Sequence, residues 1–334
     1  MDILVIAIII LALVYDFLNG ANDRANAIAT VTATKALSPI RALILASVLN
    51  FGGALISTKV AKTIGSGIIP QEHMTLLILL GGILGATIWV FFCTKTGIPI
   101  SVTHSMVGGI LGAGLVSGGG LAIINWQILT NKIFLAIILG PTLGLIAGAF
   151  LFSLSAWAAH LFFKKIPTQK LEWLFQKLQI GSASFMSLAH GLSDTQTTMG
   201  VITAVLLTGG LIETFTVPLW VKIASGVAMG LGTFFMGWKV METLGWRLSK
   251  LEPQHGFAAE AGASMVIGLH SLLGMPVSTT HVIGCSVMGG TLLQNWRRIK
   301  QLVAKKMIAA WVVTIPCSAV MAAISYSILN IVLQ

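Results

Sequence analysis

Two octapeptides, GIPISVTH at 97–104 and GMPVSTTH at 274–281, place hydroxyls and an imidazole just behind a Gly-x-Pro break, 177 residues apart. Proline ends whatever helix precedes it, and an apolar, glycine-rich helical pattern (MVGGILGAGL) follows the first copy. Ser101, Thr103, His104 and Ser105 therefore fall near a helix N-terminus, and Ser278, Thr279, Thr280 and His281 repeat the arrangement. At such an end, unpaired backbone N–H groups and the positive pole of the helix dipole attract an anion. Hydroxyls donate to the same oxygens without adding charge. Two such ends facing each other would hold a compact tetrahedral oxyanion. Ordinary N-capping competes as a reading for Ser and Thr, but it does not explain a histidine at the same place in both copies.

Two acids stand in comparably polar strings, Asp23 in GANDRANAIAT and Asp194 in AHGLSDTQTTMG. An ionised Asp at the centre of a bilayer costs roughly 2.5–3.5 kcal/mol on insertion scales, so it is seldom present without a partner or an ion. Asn22, Asn26, Ser193, Thr195 and Gln196 surround the pair in sequence. Oxygen ligands with one carboxylate per cluster suit Na⁺, or a proton carried on the carboxylate. Capping of a helix that opens at Ala25 is the competing role for the first cluster.

The elements that position these residues must lie in a membrane. Of 334 residues 56% are hydrophobic and 9% charged, with a mean hydropathy of +0.92, whereas soluble domains carry about 25% charged residues. Ten apolar segments can be drawn, at 3–18, 38–57, 73–94, 99–118, 133–163, 181–210, 215–238, 257–273, 276–293 and 307–333. The first follows Met-Asp with no basic region or cleavage site, and reads as a retained segment. If each segment crosses once, one side carries only Lys59, Lys62 and Lys132, and the other carries sixteen basic residues, Arg24, Arg247 and Lys250 among them. The positive-inside rule makes the rich side cytoplasmic and both termini extracytoplasmic. The net charge of +10 is thus a topology signal and not a nucleic-acid footprint. Cys93, Cys285 and Cys317 are isolated in apolar runs and fit no metal or redox spacing. No nucleotide loop or hydrolytic triad is present, so the sequence is not read as that of an enzyme and no cofactor is expected.

The chain also reads as a duplication. GAND at 20–23 aligns with GLSD at 191–194, KVAKTIG at 59–65 with KVMETLG at 239–245, and the octapeptides complete the series in the same order. The expected division is a first membrane repeat at 1–163, a cytoplasmic amphipathic linker at 164–180 (KKIPTQKLEWLFQKLQI) and a second repeat at 181–334. An odd number of crossings in each half, five or six with broken or re-entrant pieces, would make an all-α inverted-topology repeat, the architecture of many secondary transporters.

With GAND and P-x-S-x-T-H elements in both halves, the chain resembles the inorganic phosphate transporter (PiT) family along essentially its whole length. The resemblance implies secondary uptake of phosphate, driven by Na⁺ in many members and by protons in others. It carries the family's first element onto Gly20, Ala21, Asn22, Asp23, Ala25 and Asn26, and the second onto His190, Gly191, Asp194 and Gln196. Arg24, Ser193, Thr197, Val102 and Lys62 depart from the usual pattern. The expected protein is therefore a multi-pass cell-membrane symporter that assembles as a homodimer, with phosphate, Na⁺ (or H⁺) and lipid as its partners. A sulfate permease on the same scaffold is the nearer rival. An intramembrane aspartyl protease, suggested by YD at 15–16 and GLSD, is the remote one, and Ser193 breaks its Gly-x-Gly-Asp signature.

Overall fold

The computed structural model describes residues 3–235, 238–243, 245, 248–249 and 251–333. Every regular element among them is helical. Arg247 and Lys250 of the charge comparison lie outside the described residues. Five elements form the first part of the chain: α1 (Ile3–Ala33), α2 (Pro39–Ala54), the short α3 (Lys59–Lys62) with a π turn at Thr63–Gly67, α4 (Leu76–Thr96) and α5 (Val102–Val116). There follow α6 (Trp126–Phe162), α7 (Thr168–Thr208), α8 (Leu219–Phe235), α9 (Trp238–Glu242), α10 (Pro253–Leu272), α11 (Thr279–Asn295) and α12 (Gln301–Leu333).

Helices α1, α4, α6 and α12 are each long and apolar enough to cross a membrane. The pair α2 and α3 bends by 65° at a break, which makes a broken span or a re-entrant loop just past the apolar segment drawn at 38–57. Helix α7 runs for 41 residues, roughly 60 Å at 1.5 Å per residue and twice the hydrocarbon thickness. Residues 168–180, read from sequence as a linker, are its opening turns and continue into the membrane portion without a break. Arg24 is likewise not a loop residue: α1 continues through GANDRANA, and Arg24 is buried within it. No helix opens at Ala25, so capping cannot be the work of Asn22 and Asp23.

The packing has a regular plan. Helix α1 packs on α8 as α7 packs on α2, α5 on α12 as α11 on α6, and α4 on α12 as α10 on α6. Exchange of the five helices α1, α2, α4, α5 and α6 with α7, α8, α10, α11 and α12 returns the same contacts. Close approach follows the same exchange. A Cβ on Gly20 would meet the Met229 carbonyl oxygen at 2.2 Å, and one on Gly191 would meet that of Asn50 at 2.0 Å. Small residues let these backbones touch where lipid supplies no hydrophobic drive between helices. The outward faces of α6 and α12 expose Ile138, Phe150, Val312 and Val320, as a lipid-facing surface requires.

Helices α4 and α10 end on the same device. Gly97 (φ 79°) and Gly274 (φ 70°) adopt the left-handed conformation that closes a helix and that side-chain-bearing residues resist. Each is then latched from the other half. Thr243 Oγ1 donates to the Gly97 carbonyl at 3.2 Å, and Thr63 Oγ1 to that of Gly274 at 2.8 Å.

Candidate functional site

A buried polar stripe on α1 builds one wall. Asp16, Asn19, Asp23, Asn26 and Thr30 recur at three- and four-residue steps, the spacing of a single helix face, and all are buried. Helix α7 answers with Ser187, His190, Asp194 and Thr197, also buried. The two stripes meet where α1 crosses α7. Suitable ligand atoms of Asp23, His190 and Asp194 lie within 4.8 Å of one another. His190 Nε2 lies 3.2 Å from Asp194 Oδ2, and its Nδ1 lies 3.1 Å from Asn50 Oδ1, so α2 fixes the ring.

The octapeptides close the other side. Ser101 Oγ accepts the His104 N–H at 3.1 Å, and Ser278 Oγ accepts that of His281 at 3.2 Å. Both serines therefore do cap their helices. Capping uses the oxygen lone pair and leaves each hydroxyl proton free to be donated. The N–H groups of Val102, Thr103, Thr279 and Thr280 have no acceptor inside their own helices, as at any helix start. The two starts converge: the His104 and His281 rings meet edge to face, 5.0 Å between centroids, and His281 stacks on Trp311 at 4.2 Å. Ser105 Oγ turns back onto the Ser101 carbonyl at 2.9 Å.

The hydroxyls of the second octapeptide reach the acids. Thr280 Oγ1 donates to Asp23 Oδ1 at 2.9 Å, and Thr279 Oγ1 donates to Asp194 Oδ2 at 2.7 Å while lying 3.5 Å from Asp23 Oδ2. Asn26 Nδ2 donates to both hydroxyls, at 3.1 Å to Thr279 and 3.0 Å to Thr280. Residues expected in separate anion and cation clusters thus form one network. Asn22 Nδ2 is held by Thr94 Oγ1 at 2.9 Å. That leaves Asn22 Oδ1, Asn26 Oδ1, Asp194 Oδ1 and Thr195 Oγ1 buried without a partner among the described residues. Buried oxygens are normally satisfied, and this set of neutral oxygens beside a carboxylate fits a hard monovalent cation. His104 Nε2 and His281 Nε2 are buried and unpartnered as well, and an oxyanion between the octapeptides would supply them an acceptor.

Gln196 is engaged elsewhere. Its Oε1 accepts the N–H groups of Val60 at 2.8 Å and Ala61 at 3.2 Å, and its Nε2 donates to the Leu192 carbonyl. It caps α3, so the site does not gather it as a cation ligand. Ser193 is buried on α7 beside Asp194. Asn19, whose Nδ2 lies 3.4 Å from the Asp194 carbonyl, and Thr30 were not singled out from sequence, although their helical spacing from Asp23 and Asn26 marks them. Glu260 of α10 is a further acid whose partners come from distant helices. It is fully buried, with Ser182 Oγ at 2.5 Å, Gln179 Nε2 at 3.4 Å and the Thr30 hydroxyl as donors. Its apolar neighbours on α10 gave no hint of those partners, which come from α1 and α7.

Helices that span a membrane, interrupted at paired glycine turns around a buried polar centre, define a membrane transport protein. The model of the phosphate transporter family matches residues 19–322, and the chain belongs to that family. Its members are transporters, not enzymes. It is 40% identical to a probable low-affinity inorganic phosphate transporter of Bacillus subtilis, over 99% of this chain and 98% of that one. A protein of the same description from Rhizobium meliloti is 37% identical, over 97% of this chain and 96% of its own length. Among solved structures the chain is similar to one titled the sodium-dependent phosphate transporter, with a TM-score of 0.89, 26% identity, and coverage of 99% of this chain and 100% of that chain.

Proposed function

We propose that this protein imports inorganic phosphate by Na⁺ symport, binding both at the convergence of the two octapeptides with the Asp23 and Asp194 helices. The observation that carries the reading is the shared network, in which Thr279 and Thr280 bond the carboxylates while standing at a helix N-terminus beside His281. In this reading the N–H groups of α5 and α11, with the Ser101, Thr103 and Ser278 hydroxyls, donate to the anion, while Thr279 and Thr280, whose protons go to the carboxylates, accept from a protonated phosphate oxygen. Asp23 and Asp194, with the unpartnered oxygens of Asn22, Asn26 and Thr195, hold the cation. Cation and phosphate then stabilise each other's binding through the threonines, which is the physical content of coupling. Neutral oxygens at this density favour Na⁺ over a proton, which needs only the carboxylate. The printed title of the similar solved structure supports the same choice.

The reciprocal packing supports two inverted repeats, 1–163 and 181–334, that rock about the buried centre. The sparse basic side, Lys59, Lys62 and Lys132, faces outward in this reading. The test is labelled-phosphate uptake into proteoliposomes with Na⁺ and pH gradients imposed separately. Uptake that runs at full rate without Na⁺ and follows the pH gradient instead would overturn Na⁺ coupling. Absence of phosphate uptake under both gradients would overturn the substrate.

A further inference from the structure

The three lysines of the sparsely charged side, distant in sequence, come to one place. Lys59 and Lys62 from α3 and Lys132 from the start of α6 line a single cavity of about 350 Å³, together with Thr63, Asn125 and Gly274. None of the three forms an ion pair among the described residues. No acid lines the cavity, although the same side carries Glu72 and Glu213. Unpaired like charges around a concavity repel one another, and the focused field attracts an anion.

The cavity also abuts the buried site. Gly274 is the first residue of the second octapeptide, and Thr63 holds its carbonyl. The opening N–H groups of α3 are held by Gln196, two residues past Asp194. We propose that this cavity is an outer capture site for a phosphate oxyanion, which concentrates free inorganic phosphate at the mouth before transfer to the octapeptides. The inference rests on the phosphate-import reading above. A lipid headgroup offers the same oxyanion, but the cavity borders the octapeptide turn and so favours the free ion.

The experiment measures phosphate uptake by wild type, a K59Q/K62Q/K132Q variant and a K59R/K62R/K132R variant. Na⁺ is held fixed, choline chloride sets the ionic strength, and the vesicles are neutral phosphatidylcholine or include an anionic phospholipid. At low ionic strength the glutamine variant should raise the KM for phosphate about three- to tenfold with its maximal rate kept, since steered association gains at least about tenfold and falls steeply with salt. High salt should erase the difference, and the arginine variant should retain the wild-type KM. An unchanged KM at low ionic strength, with wild-type uptake intact, would overturn the capture site alone. So would a KM that responds to anionic lipid in wild type and not in the glutamine variant, because the occupant would then be a headgroup. A wild type that takes up no phosphate would overturn the reading beneath it.

Discussion

The two octapeptides share a backbone device and differ in what their side chains do. In both, a left-handed glycine ends the preceding helix and a serine caps the next. In the second copy, Thr279 and Thr280 donate to Asp194 and Asp23. In the first copy Val102 stands where Thr279 would, and its carbonyl accepts the Tyr15 hydroxyl at 2.6 Å. Both copies keep the serine-capped helix start, while the bond between hydroxyl and carboxylate is made by the second copy. Backbone capping depends on local sequence and survives divergence. The hydroxyl–carboxylate pairs depend on side chains and their placement: Val102 removes the counterpart of the Thr279 bond, and Thr103, at the place of Thr280, keeps its hydroxyl without reaching an acid among the described residues.

The largest expected effects test that asymmetry at the acids. Asp194→Asn and Asp23→Asn should each lower Na⁺-stimulated uptake by at least about tenfold, as for loss of hydrogen bonds to a charged group at roughly 1.5–3 kcal/mol. The dependence of rate on Na⁺ should flatten in both. Next come the threonines. Thr280→Val should weaken coupled Na⁺ and phosphate binding by about 1.5–3 kcal/mol, against about 0.5–1.5 kcal/mol for Thr103→Val in the first copy. Equal losses in isothermal titration would show that the halves contribute alike and would break the comparison.

The glycine turns sharpen it further. Gly97→Ala and Gly274→Ala both force a side chain into the left-handed region, at roughly 1–2 kcal/mol. The Gly97 change should be the worse, because its Cβ would meet Lys239 Cβ at 2.9 Å, while that of Gly274 finds its nearest atom, the Lys59 carbonyl oxygen, at 3.2 Å. The ranking of melting temperatures in detergent checks this. Smallest is the surface pair at the start of α10, where Arg298 lies 3.0 Å from Glu252. Partial burial pushes the Glu252 carboxyl up, but Arg298, His255 and Gln294 outweigh it and hold the carboxyl below its ordinary value. A depressed carboxylate stabilises the fold above its unfolded-state pKa, and that contribution is lost as pH falls through the folded one. Arg298→Gln should therefore cost under about 1 kcal/mol at neutral pH, because both partners are partly solvated. The cost should vanish in acid melts.

Much of the site was legible from the chain alone, and its limits are physical. The octapeptides, Asp23 and Asp194 stand out because polar groups in apolar sequence are costly, whatever they face. Gln196 and Glu260 show where that reading stops, because a side chain's neighbours, not its type, decide whether it is a ligand, a cap or a buried acid. Asn19 and Thr30 were readable in principle, since helical spacing places them on the Asp23 face. They were missed because the apolar run was ended at Leu18, before the helix ends at Ala33.

By itself, then, the sequence determined what depends on short stretches. The membrane class follows from hydropathy over about 20 residues. The helix breaks follow from Gly-x-Pro, and the two capped helix starts from the serine that succeeds each break. The tertiary structure decided whatever joins distant residues. Thr280 and Asp23 are 257 positions apart, and Thr279 and Asp194 are 85. Lys132 reaches Lys59 and Lys62 only because α6 begins beside α3. Helix crossings set those meetings, and close backbone approach at Gly20 and Gly191 fixes the crossings. No local pattern in the chain specifies which carbonyl such a glycine will touch.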